Sequence, residues 1–279
     1  MARDDDYGAS DPLAHAIAER DRDILSTVER SLKRGDVRLA FQPVVGAADG
    51  RPAFHEGLVR VLDETGRILP AAQVFPFVET MGLGRELDVA ALRQGLDTLA
   101  ARPALRLSIN MSARSIGYAR WARTLRRGLA RDETVGERLI LEISEASAML
   151  LPDLVRAFMA EHQDKGLTFA LDEFGAGQTC FRQLRDFYFD IVKVDPGFVS
   201  GCATDPDNQC ILGALVTIGR QFDMFTVAVG VENAAEARFL AEAGFDCLQG
   251  FHFGAPQLRP SWLEERPQAP RRQRRGPRG

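Results

Sequence analysis

The sequence predicts an α/β fold, a modified TIM (β/α)8 barrel with an antiparallel first strand, preceded by an amphipathic N-terminal helix. Three observations lead there. Eight short apolar runs are spread along the chain. Helical stretches lie between most of them, the rhythm of a parallel sheet, in which each strand needs a crossover to reach its neighbour. The first two runs are joined instead by GAADG, which reads as a hairpin turn and so gives an antiparallel start.

In chain order, residues 1–11 are acidic, lack an apolar stretch and are expected to be disordered. Asp11-Pro12 then reads as an N-cap followed by proline at the first helical position. Leu13, Ile17, Ile24, Leu25, Val28 and Leu32 recur at helical spacing until Gly35, which predicts a leading helix over 12–35. That helix can pack on the body or pair with a second copy. The barrel is predicted over 36–260. Its strand candidates are VRLAFQPVV (37–45), AFHEGLVRVL (53–62), LRLSIN (105–110), RLILEIS (138–144), LTFALD (167–172), DIVKVD (190–195), TVAVG (226–230) and DCLQG (246–250). Helices are expected near 71–82, 85–100, 113–130, 152–164, 178–186, 207–222 and 234–243. The end, 261–279, is rich in Pro and Arg and is expected to be a disordered tail.

Composition narrows the class. With 45% hydrophobic and 27% charged residues the chain can build a sizeable core. No apolar run approaches the ~18 residues of a membrane span. Four cysteines, Cys180, Cys202, Cys210 and Cys247, form no CxxC pair, so free thiols and a reducing cytoplasm are expected. The formal net charge is −4, and the last fourteen residues hold six arginines and no acid; setting those six aside leaves −10 on residues 1–265. An acidic body argues against a broad nucleic-acid face, which leaves the basic tail as the one segment suited to RNA, anionic lipid or an acidic partner. A solubilising terminus explains the tail equally well.

In such barrels chemistry gathers at the C-terminal ends of the strands. Those ends carry Glu56 and Arg60, Asn110, Glu142 and Glu145, Asp172-Glu173, Lys193 and Asp195, Val229 with Glu232 past a glycine turn, and Gln249. Carboxylates crowded on one rim repel, and a hard divalent cation resolves the conflict. Oxygen donors without His or Cys suit Mg²⁺, Mn²⁺ or Ca²⁺ rather than zinc, and the adjacent acids Asp172-Glu173 could span two ions. Any single acid here is as well explained as an N-cap or a solvated loop residue; four in register are not.

The order of short motifs resembles the EAL domain, the cyclic di-GMP phosphodiesterase family of bacteria. The motifs are FQPVV (41–45), EGLVR (56–60) at the place of the family's EAL signature, INMS (109–112), LEISE (141–145), LDEFGAG (171–177), KVD (193–195), GVEN (230–233) and QGF (249–251). The resemblance covers roughly residues 25–257. It implies that Glu56, Asn110, Glu142 and Asp172 hold a first metal ion and that Asp172 and Glu173 hold a second. The implied cofactor is Mg²⁺ or Mn²⁺, one or two ions, with Ca²⁺ inhibitory. Lys193 is implied to be catalytic, touching the attacking water or the phosphate; its plainer reading is a salt bridge to a neighbouring carboxylate. Gln42, Arg60, Asp195, Glu232 and Gln249 fall at ligand-binding or supporting positions, and Glu145 at the acid that steadies the loop after Asp172.

Four departures stand out. Gly57 replaces the family's alanine and is expected to be benign. Glu173 replaces an aspartate and reaches one methylene further. EFGAGQT replaces DFGTGYSS, so the family's coupling of this loop to a dimer interface is not carried over. Val229 replaces the glutamate that serves as general base, and an isopropyl group takes no proton; such a loss typically costs about 10²–10⁴ in rate. In TVAV taken alone, the valine is ordinary strand packing.

The leading reading is a degenerate domain that binds cyclic di-GMP, with a cation, as an effector with little or no hydrolysis. One alternative is an active phosphodiesterase giving pGpG through metal-activated water. Another is a nucleotide-independent protein-interaction module. A homodimer and an unidentified protein partner are compatible with each. No GGDEF-like, receiver or sensory motif occurs in the sequence, so input is expected to come from elsewhere.

Overall fold

The computed structural model describes residues 12–177 and 184–264. The expected disordered segment 1–11 lies outside them, as do most of the tail and residues 178–183, where a helix over 178–186 was expected. Helix α1 (Pro12–Arg34) stops at Gly35, whose φ of 76° suits a residue without Cβ. Its C-terminal half docks on the body through Ile24, Leu25, Val28 and Leu32, which meet Val37, Val61, Val74, Val78 and Leu87. Ser31 adds a hydrogen bond from its hydroxyl to the carbonyl of Leu62.

Strands β1 (Val37–Gly46) and β2 (Pro52–Leu62) form the antiparallel hairpin, with Gln42 opposite Glu56. Strand β3 (Ile68–Leu69) extends the β2 edge and is too short to show a period in the sequence. The β/α alternation then follows through α2 (Ala71–Val78), α3 (Gly82–Ala101), β4 (Leu107–Asn110), α4 (Ala119–Arg131), β5 (Leu139–Ser144), α5 (Glu145–Leu150), α6 (Pro152–Gln163), β6 (Thr168–Phe174) and β7 (Ile191–Val194). It ends with α7 (Pro196–Val199), α8 (Pro206–Gln221), β8 (Phe225–Val229), α9 (Ala234–Ala243), β9 (Cys247–Gln249) and α10 (Ser261–Glu264). The helix expected over 113–130 is broken. A 3-10 turn at Ala113–Ser115 precedes Gly117, whose φ of 81° leaves the helical region before α4 begins.

The strand order β1-β9-β8-β7-β6-β5-β4-β2, closed by the β1–β2 pairing, makes an eight-stranded barrel with β3 outside it. Strand β1 is antiparallel to both its neighbours, and the remaining barrel pairs are parallel. Because strand side chains alternate, each strand sends one set inward and one set toward the helices. The outer set, including Leu107, Ile109, Leu139, Leu141, Phe169, Leu171 and Val192, builds the main core with the surrounding helices. The inner set at one end is hydrocarbon: Val44, Phe54, Ile140, Ala170, Ile191 and Val227.

The C-terminal boundary differs from expectation. Residues 261–264 are helical, not part of a disordered tail, because Trp262 anchors them. Its ring meets Phe41 edge-on at 5.1 Å, and its indole N–H donates to His55 Nε2 at 3.1 Å. Arg102 Nε donates to the Trp262 carbonyl at 3.0 Å. No helix among the described residues is long and apolar enough to cross a membrane.

Candidate cation and ligand site

Two residues beyond the hydrocarbon layer, the same inward faces turn polar. Phe54 is followed by Glu56, Ile140 by Glu142, Ala170 by Asp172, Ile191 by Lys193 and Cys247 by Gln249. Parallel register sets Asn110 beside Glu142, and Ser144 beside Asp172. The result is a buried polar layer: Glu56 and Gln249 are almost enclosed, and Glu142 and Lys193 are 0% and 1% exposed.

The Lys193 ammonium sits among three carboxylates. It lies 2.9 Å from Glu56 Oε2, 2.6 Å from Glu142 Oε2 and 3.5 Å from Asp172 Oδ1. Of the two readings of Lys193, the salt bridge is the one its contacts display. Asn110 Nδ2 donates to Glu56 Oε1 at 2.7 Å, and Gln249 Nε2 donates to Glu56 Oε2 at 2.7 Å and to Gln42 Oε1 at 3.2 Å. Gln42 in turn donates to the carbonyl of Gly254. Among the described residues, Glu142 Oε1 and Gln249 Oε1 are buried without a hydrogen-bond partner.

Three acids against one ammonium leave the layer short of positive charge. Burial, then the charge of Glu56, pushes the Glu142 carboxyl up to about 8. Burial also raises Asp172, although Lys193 opposes it. Glu56 moves the other way: burial would raise it, but Lys193, Gln249 and Asn110 more than offset that and hold it low. Burial alone would lower Lys193, yet Asp172, Glu142 and Glu56 hold its ammonium well above the ordinary lysine range. Glu56, Glu142 and Asp172 each bring one oxygen within 4.8 Å of the others, close enough to share one ion. An orphaned buried acceptor and an all-oxygen carboxylate set are what a hard divalent cation fits. This layer is where such an ion would be held.

Glu173 is outside that cluster of close oxygens. Its side chain is exposed, and its backbone takes φ of 56° where the β6–β7 register shifts between Leu171 and Phe174. A left-handed residue without glycine is costly, and aspartate or asparagine tolerates it better than glutamate does. Although the residue as a whole is exposed, partial desolvation of its carboxyl, then the neighbouring Asp172 and Asp195, raise Glu173. Asp195 caps α7 by accepting from Gly197 N at 2.7 Å. Glu145 is buried and accepts from Gly175 N at 3.0 Å, on the loop after β6.

A cavity of about 300 Å³ opens beside the polar layer, lined by Gln42, Arg60, Val229, Glu232, Gln249 and Phe251, among others. It joins four of the five expected ligand residues; Asp195 is not among its lining residues. Phe251, 69% exposed, went unassigned in the sequence although the QGF motif contains it. Val229 lies on the inward face, paired in register with Gln249, and packs on the hydrocarbon layer. Glu232 is exposed beyond Gly230, whose φ is 90° and whose missing Cβ would meet Pro196 Cβ at 2.6 Å. Glu232, past that turn, lines the same cavity as Val229.

Gly57 sits where flexible side-chain ends crowd the backbone. A Cβ there would lie 2.7 Å from Ile109 Cδ1 and 3.3 Å from Leu39 Cδ1, so the glycine leaves space that Ile109 fills.

The chain resembles proteins of known family. It is 29% identical over 247 residues to the bifunctional diguanylate cyclase/cyclic di-GMP phosphodiesterase MucR of Pseudomonas aeruginosa, covering 87% of this chain and 36% of that protein. It is 25% identical over 238 residues to the cyclic di-GMP phosphodiesterase PdeF of Escherichia coli, covering 84% of this chain and 32% of that one. The chain thus spans about a third of the length of these curated relatives. Among solved structures, the PaMucR phosphodiesterase in complex with c-di-GMP superposes with a TM-score of 0.77 at 28% identity, over 84% of this chain and 97% of that one. The FimX EAL domain of Pseudomonas aeruginosa matches at the level of fold, with a TM-score of 0.77 at 24% identity over 85% of this chain and 97% of that one. The EAL domain family model matches residues 25–256, and the chain belongs to that family.

Proposed function

We propose that this chain binds cyclic di-GMP at the barrel rim with the help of a divalent cation, Mg²⁺ or Mn²⁺, and acts as an effector with little or no hydrolysis. Glu56, Glu142 and Asp172 would hold the ion, with the side chain of Asn110 beside them. A bound cation would supply positive charge for phosphate oxygens. Arg60, on the cavity wall, suits a phosphate because its planar fork donates two hydrogen bonds. Gln42, Glu232 and Gln249 line the same cavity. The c-di-GMP complex of the MucR relative supports the choice of ligand. A cytoplasmic setting and an unidentified protein partner belong to the same reading.

The observation that carries the absence of turnover is Val229. It occupies an inward rim position beside Gln249 and can accept no proton from water. Glu232 does not replace it, and Lys193 directs its ammonium at carboxylates. The second reading, an active phosphodiesterase, draws on the retained polar layer and on the phosphodiesterase relatives. The test measures both properties on one preparation. Calorimetry with cyclic di-GMP in Mg²⁺ is expected to show binding, and chromatography for pGpG to show little product. Val229→Glu is expected to raise the rate by about 10²–10⁴. Wild-type turnover at an ordinary enzymatic pace overturns the effector reading, and calorimetric silence overturns the ligand.

A further inference from the structure

We propose that Lys193 is the resident counter-ion of the rim carboxylates and that a divalent cation enters the layer by exchange against it. The inference rests on reading Glu56, Glu142 and Asp172 as a cation site. An ammonium has three donors, and Lys193 faces three carboxylates, one oxygen of each, within 3.5 Å. The side chain is 1% exposed, so this is a built internal ion cluster and not a surface pair.

The acceptors are unevenly used. Glu56 is engaged at both oxygens: Oε1 accepts from Asn110, and Oε2 accepts from Lys193 and Gln249. Glu142 has one oxygen on Lys193 and the other buried with no hydrogen-bond partner among the described residues. A cation arriving at Glu142 Oε1 would meet an open acceptor, whereas at Glu56 it would find three of about four acceptor sites already taken, one of them by the Lys193 ammonium. It would also face the ammonium across a few ångströms in a water-poor layer, where like charges repel strongly. Val229 sharpens the competition. It closes the inward face of β8 with hydrocarbon and offers a displaced ammonium no carboxylate to move to.

Two consequences follow. The metal-free protein is folded because Lys193 already offsets part of the carboxylate charge. The metal affinity of the wild type is held down by the same contact.

The experiment compares wild type with Lys193→Met, without nucleotide. Thermal midpoints are measured in EDTA and again in Mg²⁺, and calorimetry follows titration with Mg²⁺ and Mn²⁺. Lys193→Met is expected to melt lower in EDTA, to bind the cation about tenfold tighter or more, and to recover more of its midpoint on adding Mg²⁺. Equal affinities, or a variant as stable as wild type in EDTA, overturn the exchange while leaving the cation site standing. If neither protein binds Mg²⁺ or Mn²⁺, the cation reading itself falls. Should Lys193→Met not fold under either condition, wild type labelled with ¹⁵N-lysine decides. A protected side-chain ammonium signal is expected in EDTA and is expected to shift or vanish with Mg²⁺. A signal unmoved by saturating Mg²⁺ overturns the proposal.

Discussion

Two layers fill the barrel, two residues apart along the same strands, and they obey opposite rules. The lower one, Val44, Phe54, Ile140, Ala170, Ile191 and Val227, is hydrocarbon packed on hydrocarbon. The upper one, Gln42, Glu56, Glu142, Asp172, Lys193 and Gln249, is held by charged and amide contacts and is short of positive charge. In the lower layer each residue stabilises the fold by leaving water. In the upper layer each carboxylate is a burden on folding that only a partner relieves. Val229 crosses the boundary: it stands at the upper level with the chemistry of the lower one. Position along a strand therefore decides what a substitution does more than residue type.

The largest effect comes from testing that on neighbouring inward positions of one strand. Val227 is 0% exposed and surrounded by hydrocarbon, so Val227→Glu would bury an unpaired carboxylate. That variant is expected to be largely unfolded or insoluble, because the penalty is a large fraction of a domain's total stability. Val229→Glu, half-buried on the cavity wall, is expected to fold and to keep most of its midpoint. Circular dichroism melts of the pair check it. Similar losses at both sites would erase the two-layer distinction. A smaller break is Phe54→Ala, which opens a cavity in the lower layer and is expected to cost about 3–5 kcal/mol in urea unfolding.

The barrel was legible because its period is long and repeated: inward apolar alternation and interposed helices survive local irregularity. The polar layer was legible because it recurs at the ends of those runs, at Glu56, Asn110, Glu142, Asp172 and Gln249. Short pieces were not. Strand β3, with two residues, and the four-residue α7 carry no periodic signal. The break at Gly117 was hidden because helices tolerate a glycine, and its left-handed φ is a tertiary fact. Trp262 stands next to a Pro/Arg-rich stretch, so composition pointed to disorder where one aromatic residue anchors the chain on Phe41 and His55. The placement of Lys193 among three carboxylates depends on the closure of the barrel, which brings residues 56 and 193 together; no local pattern contains it.

The loop after β6 offers a test of intermediate size, at the edge of the upper layer. Glu145 reaches from the start of α5 to accept the Gly175 amide. Glu145→Ala removes a charged acceptor and is expected to cost about 1–3 kcal/mol. Amide exchange at Gly175 should quicken by more than the global loss explains. Uniform quickening across the barrel would mean that Glu145 serves general packing and not this loop.

The smallest expected effect concerns Asp88, outside both layers. On α3 it accepts from Ser112 N at 3.0 Å and Ser115 Oγ at 2.6 Å, just past the Asn110 strand end. Burial pushes its carboxyl up to about 6, from an ordinary value near 3.8, although those two hydrogen bonds resist the shift. The folded state thus holds the proton more tightly than the unfolded chain does. Stability from this group is fully present below pH 3.8 and is lost as pH rises through about 6. Asp88→Asn keeps an acceptor for both donors and cannot ionise. It is expected to match wild type near pH 4 and to exceed it above pH 7 by about 1–2 kcal/mol. Urea midpoints across that range check the sign. A variant that is less stable at pH 7.5 would show that the Asp88 charge supports the loop, so that the upper layer's rule, a buried acid relieved by its partners, extends to the surrounding helices.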